Sequence, residues 1–85
     1  MKIFYTSKFK KTFKKLPIWL KRKSIEKEKL FRKNICDKTL KTHKLSWKLK
    51  WYYSFSIDYS YRIMFEIDNN NNVYFINIWN HSIYK

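Results

Sequence analysis

The 85-residue chain has no glycine, no alanine and no glutamine, and only one proline, one cysteine and six acidic residues. An average composition supplies about 7% glycine, so this chain must turn without the residue that enters the left-handed region at least cost. Lys, Ile, Asn, Phe and Tyr, whose codons can be written with A and T alone, make up 48 of the 85 residues. An AT-rich gene is therefore one source of the deficit, and glycine codons translated as another residue are a second. The single cysteine, Cys36, excludes an internal disulfide and fits a reducing cytoplasm. Two His and one Cys are too few for a zinc site, and no metal or other cofactor is expected. No apolar run approaches the ~18 residues of a membrane span. Lys8 to Lys15 interrupts the N-terminal apolar stretch, so no signal peptide is expected and the expected location is cytoplasmic.

What the chain has in excess is positive charge and aromatic surface. Its 45% hydrophobic and 21% aromatic content is that of a folding sequence, not of a disordered basic tail. At this size a single domain over residues 1–85 would bury about 60–65% of its unfolded surface, which leaves much to gain from a partner. The net charge is +14. Residues 1–50 hold 18 basic and 3 acidic groups and residues 51–85 hold 2 and 3, so the nets are +15 and −1. The basic half must face solvent, an acidic protein or a polyanion, and nucleic acid rewards clustered Lys through counterion release.

Lys2 to Thr6 alternates Ile3 and Tyr5 against Phe4 and reads as a strand, with Ser7 in the position of a helix N-cap. Phe9, Phe13, Leu16 and Leu20 then share one helical face. Pro17 divides or kinks this stretch, because it lacks the donor that a helix interior needs. The second helix is expected to run to about Asn34 or Ile35, with Leu20, Leu30, Phe31 and Ile35 inward, Ser24 and Lys27 as polar interruptions of that stripe, and Ile18 and Ile25 on the opposite side. From Tyr52 the period becomes two. Tyr53, Phe55 and Ile57 alternate with Tyr52, Ser54 and Ser56; Tyr61, Ile63, Phe65 and Ile67 alternate with Arg62, Met64 and Glu66; Val73 to Ile78 forms the last strand. Asp58-Tyr59-Ser60 is a tight hairpin connection, and in Asp68 to Asn72 asparagine takes the conformations usually left to glycine. The expected fold class is α+β: two N-terminal helices packed on one face of a small antiparallel sheet, in the order β-α-α-β-β-β, with the other face free to bind.

Between helices and sheet lies LKTHKLSWKLKW, residues 40–51, carrying Lys41, His43, Lys44, Lys48 and Lys50; the C-terminus reads IWNHSIYK, with His81 and Tyr84. With Arg62 on the outward face of the middle strand, these groups can meet on one face of a small sheet. Arg62 could instead pair with Glu66 along its own strand face, and His81 and Tyr84 could be terminal packing.

These blocks resemble the RelE/ParE superfamily of toxins from bacterial toxin-antitoxin modules, over the whole chain. The usual wording of that family is close to H-x-L-x-G-x-L-x-G, an aromatic strand, Y-R-I, and a terminal I-G-x-H-x-x-Y. His43, Leu45, Leu49, Tyr61, Arg62, Ile63, Ile78, His81 and Tyr84 match it. The departures are of one kind, since Trp47, Trp51 and Trp79 stand where the family has glycine. Some lineages read UGA as glycine, and translation with UGA as tryptophan would produce this substitution; the expectation is glycine at these positions in the native protein. Trp19 could share that origin. The alternative is genuine tryptophan that stacks on bases.

The resemblance implies a metal-independent endoribonuclease that cuts mRNA on the ribosome by attack of the 2′-OH on the adjacent phosphate. It makes His43 the general base, Arg62 the cation that stabilises the phosphorane, and His81 the general acid, with the two histidine roles exchangeable. Tyr84 orients or stacks on the substrate base, or donates a proton, and Lys41, Lys44, Lys48 and Lys50 hold phosphates. It implies a cognate antitoxin protein, mRNA and the ribosome as partners, and no membrane. A gyrase-inhibiting branch of the same superfamily and a non-catalytic basic RNA-binding protein are the competing readings.

Overall fold

The computed structural model describes residues 1–45 and 52–80. Strand β1 (Ile3–Tyr5) leads into helix α1 (Ser7–Lys14), and helix α2 (Ile18–Lys33) follows. Thr6, not Ser7, is the N-cap of α1. Its Oγ1 accepts from Phe9 N–H at 3.2 Å and donates toward the Phe75 and Ile76 carbonyls, so one hydroxyl caps the helix and ties it to the sheet. Pro17 breaks the helical stretch as expected. It occupies the N-cap position of α2 in extended backbone, and Leu20 and Lys21 N–H donate to its carbonyl at 3.0 Å.

A short 3-10 turn (Lys38–Leu40) and a two-residue strand β2 (His43–Lys44) come next, neither of them anticipated. Strands β3 (Tyr52–Ser56), β4 (Tyr61–Ile67) and β5 (Val73–Asn80) complete a five-stranded sheet in the order β1-β5-β4-β3-β2. The α+β class holds, but the sheet is mixed where an antiparallel one was expected. β1 runs parallel to β5, pairing Ile3 with Val73 and Tyr5 with Phe75, because the α1–α2 excursion brings the chain back to the far side of the sheet before β3 begins.

The period-two reading of β3 and β4 places the inward residues correctly. Phe55, Ile57, Ile63 and Phe65 join Phe9, Leu20, Phe31, Leu40, Val73, Phe75 and Ile78 in the buried core. Phe31 of α2 is its hub, stacked on Phe55 at 4.6 Å between ring centroids and set edge-on to Phe65 and Phe75. Ile18 and Ile25 lie exposed on the opposite side of α2.

The turns show how a glycine-free chain makes its bends. Asn71 takes φ 64° in the β4–β5 connection, where Asp68 accepts from the Asn70 and Asn72 N–H groups. The Asn72 N–H, followed by the Tyr74 hydroxyl and the Asn70 N–H, holds the Asp68 carboxyl below the ordinary carboxylate range. Lys41 is the other residue with positive φ, at 51°, which for a side chain with a Cβ costs roughly 1–2 kcal/mol. Among the described residues, no helix is long and apolar enough to cross a membrane.

Candidate active site

The Lys41 bend begins the site. As the C-cap of the 3-10 turn it redirects the chain into β2, so that His43 pairs with Ser54 on the outer strand of the sheet. The β3–β4 hairpin is closed by Asp58, whose Oδ1 accepts from Ser60 and Tyr61 N–H at 2.9 and 2.8 Å, and this register sets Ser56 opposite Arg62. Three segments, the 3-10 turn with β2, β3 and β4, therefore converge on one guanidinium.

Arg62 is held at every nitrogen. Its Nε donates to Ser54 Oγ at 3.1 Å, Nη1 to Ser56 Oγ at 2.9 Å, and Nη2 to the Lys41 carbonyl at 3.0 Å. Ser54 and Ser56 are buried beneath it, although they lie on the face away from the core, because the guanidinium covers them. Burial lowers the Arg62 pKa from its usual value, which lies so far above neutrality that the group remains a cation. None of its partners among the described residues is an acid. Among the described residues the ion pair runs between Glu28 and Arg32, and the Arg62–Glu66 alternative does not form.

His43 Nδ1 stands 3.1 Å from Arg62 Nη2 and 3.1 Å from the Lys41 carbonyl. These three atoms form a triangle that accepts either of two proton arrangements. When Arg62 donates to Nδ1, the imidazole carries its proton on Nε2. When Nδ1–H donates to Lys41, Nε2 is left with a free lone pair on an exposed imidazole. The choice of tautomer is thus coupled to the position of the guanidinium.

Of the residues singled out from sequence, the structure brings His43, Arg62 and the Lys41 backbone together, with Lys44 exposed beside His43 on β2. Trp79 stands directly opposite Arg62 on β5, half-buried, and β5 ends at Asn80 opposite Tyr61. Lys48, Lys50, His81, Tyr84, Trp47 and Trp51 lie outside the described residues. Sequence reasoning missed the roles of Ser54, Ser56 and the Lys41 carbonyl. The signal for the serines was present: two small polar residues on the same outward face as Arg62, one strand away.

Solved structures share this architecture. A YoeB/ParE toxin from Agrobacterium tumefaciens superposes with a TM-score of 0.79 at 14% identity, over 95% of this chain and 99% of its own. A YoeB–YefM complex from Staphylococcus aureus matches with a TM-score of 0.76 at 21% identity, over 95% of this chain and 97% of the matched one. The toxin-antitoxin complex RelBE2 from Mycobacterium tuberculosis matches with a TM-score of 0.70 at 18% identity, over 93% and 95%. The chain has the fold of these toxins. No family model and no curated protein matches its sequence. In this toxin fold the His43–Arg62 pair sits on the sheet face that the helices leave uncovered.

Proposed function

We propose that this chain is the toxin of a toxin-antitoxin pair and that it cleaves mRNA on the ribosome without metal, as an endoribonuclease. The observation that carries the reading is a permanently charged, fully oriented guanidinium in hydrogen-bond contact with an exposed imidazole, on a strongly basic domain with the fold of toxins. The ribose 2′-oxygen attacks the adjacent phosphorus while His43 takes its proton. Arg62 spreads two donors over the non-bridging oxygens as charge gathers there. The bond from phosphorus to the 5′-oxygen breaks, His81 supplies the proton that oxygen needs, and the products are a 2′,3′-cyclic phosphate and a 5′-hydroxyl. Tyr84 orients the substrate base, and Lys41, Lys44, Lys48 and Lys50 hold flanking phosphates.

The partner is a cognate antitoxin. A groove of about 520 Å³ between α1 and α2 is lined by the exposed Tyr5 and Ile25 and by the edges of Phe9 and Phe13, with Lys10, Lys11 and Lys14 outnumbering Glu28 around it, and it fits an acidic amphipathic segment. Two of the solved structures with this fold are complexes of a toxin with its antitoxin, YoeB with YefM and the pair within RelBE2.

The same reading takes Trp47, Trp51 and Trp79 as glycine in the native protein. At position 79, opposite Arg62, a glycine clears the space that a ribose-phosphate must enter. The experiment is induction without antitoxin of this chain and of its Trp47→Gly, Trp51→Gly, Trp79→Gly variant. The glycine form is expected to arrest growth and to yield new mRNA 5′ ends by primer extension while DNA supercoiling is unchanged. Arrest with intact mRNA and inhibited supercoiling supports gyrase inhibition instead, and harmless expression of both forms supports a non-catalytic RNA-binding protein. Equal activity of both forms contradicts the glycine reading.

A further inference from the structure

A second feature borders Arg62 on the side away from His43. The hairpin Asp58–Ser60, the 3-10 turn and one face of α2 enclose an open cleft of about 530 Å³, within the roughly 300–1,000 Å³ usual for ligand sites. Lys23 and Lys27, one helical turn apart on α2, project into it with Lys41 and Arg62. Neither Lys23 nor Lys27 has a part in the reaction proposed above. The acids nearby are already engaged: Asp58 closes the hairpin, and Asp37, which senses the Lys27 charge, accepts from Thr39 N–H and Oγ1 as the cap of the 3-10 turn. At the rim stands Tyr59, a residue 98% exposed at the hairpin tip. A cleft with four cations, one of them the guanidinium of the reaction site, and a free aromatic ring at its mouth has the make-up of a single-strand nucleic-acid site, with phosphate cradle and stacking platform side by side.

We propose that this cleft is a nucleotide subsite flanking the scissile phosphate, in which Lys23 and Lys27 hold the neighbouring phosphate of the strand and Tyr59 stacks on its base. The word scissile rests on the ribonuclease reading above; the subsite itself is a claim about binding. The substrate strand then crosses Arg62 from the β2 side to the hairpin side, with Tyr59 and α2 setting register along it.

The test is equilibrium binding of a fluorescently labelled 2′-O-methyl hexaribonucleotide, which cannot be cut by 2′-OH attack, to the purified chain as a function of salt. Lys23→Ala/Lys27→Ala is expected to weaken binding and to reduce the slope of log K against log salt by about 0.7 for each phosphate that is no longer neutralised. Tyr59→Ala is expected to weaken binding about tenfold with the slope unchanged. Lys10→Ala/Lys11→Ala, which removes the same charge from the α1–α2 groove, is the control, and circular dichroism checks that each variant is folded. Three results overturn the subsite: no weakening in Lys23→Ala and Tyr59→Ala, exposed positions that fold without difficulty; equal weakening in the Lys10/Lys11 control; or equal competition by polyglutamate. Cleft-dependent binding by a protein that cuts no mRNA would sink the ribonuclease reading and keep the subsite, whereas normal cleavage with cleft-independent binding does the reverse.

Discussion

Replacing Arg62 with alanine is expected to lower single-turnover cleavage of ribosome-bound mRNA by about 10²–10³, the usual loss when one donor to a developing oxyanion is removed. The same substitution takes the partner from two buried serine hydroxyls and from the Lys41 carbonyl, so thermal or denaturant unfolding should also show a loss of about 1–3 kcal/mol. The two effects separate in other variants. Arg62→Lys keeps the charge but cannot reach Ser54, Ser56 and Lys41 at once with a single ammonium, and the rate should stay at least about tenfold below the parent. Ser54→Ala/Ser56→Ala keeps the guanidinium and loosens its seat, so a smaller rate loss is expected with the charge intact. A lysine variant that cleaves at the parent rate would show that charge alone suffices and that the oriented fork has no part in the reaction.

Replacing His43 with alanine should cost about 10²–10⁴ in the same assay, the usual worth of a positioned general base, with RNA binding little changed. The geometry adds a condition that a simple base assignment lacks. While Arg62 Nη2 donates to Nδ1, a neutral imidazole carries its proton on Nε2 and neither nitrogen can accept one from a ribose. In the proposed mechanism a phosphate takes the Nη2 donor from Nδ1 while Ser54 and Ser56 keep the guanidinium seated; the Lys41 carbonyl 3.1 Å from Nδ1 is then expected to hold the other tautomer, with Nε2 as the base. His43→Gln, which keeps hydrogen bonding and loses basicity, should be as slow as the alanine variant. Cleavage at the parental rate in both would remove His43 from the mechanism.

Local features of the fold were legible in the sequence because they are written in periodicity and in special residues. Pro17 divides the helices, the alternation of β3 and β4 sorts core from surface, and the Asp68–Asn72 run makes its turn through Asn71. What was not legible depends on distant segments or on very short ones. β1 has three residues and pairs with a strand some seventy positions later, and nothing local states that the pairing is parallel. β2 has two residues and carries no period. Thr6 and Ser7 are both competent caps, and the choice is made by the Phe75 and Ile76 carbonyls.

The site divides in the same way. His43 and Arg62 were singled out by their side-chain chemistry together with the family resemblance, and the structure does set them in contact. The seat of Arg62 was missed because it follows from strand register at Ser54 and Ser56 and from a backbone carbonyl, which any residue could supply. The cleft lined by the lysines of α2 was missed: Lys27 stood out only as a polar interruption of the inward stripe, and it is helix packing that turns it and Lys23 toward the hairpin. The absence of glycine takes on a specific meaning here. At position 41 the bend that aims the carbonyl is made by a lysine in the left-handed region, which binds the strain of that turn to the group that orients both Arg62 and His43.

The central claim is that the nucleophile is the ribose 2′-oxygen of the substrate, activated beside Arg62. It is tested most directly by presenting ribosomes programmed with an mRNA that carries a single 2′-deoxy nucleotide immediately 5′ of the mapped scissile phosphate. Cleavage at that bond should disappear while cleavage of the all-ribose message leaves a 2′,3′-cyclic phosphate and a 5′-hydroxyl. Cleavage of the 2′-deoxy message at the same bond would contradict the mechanism.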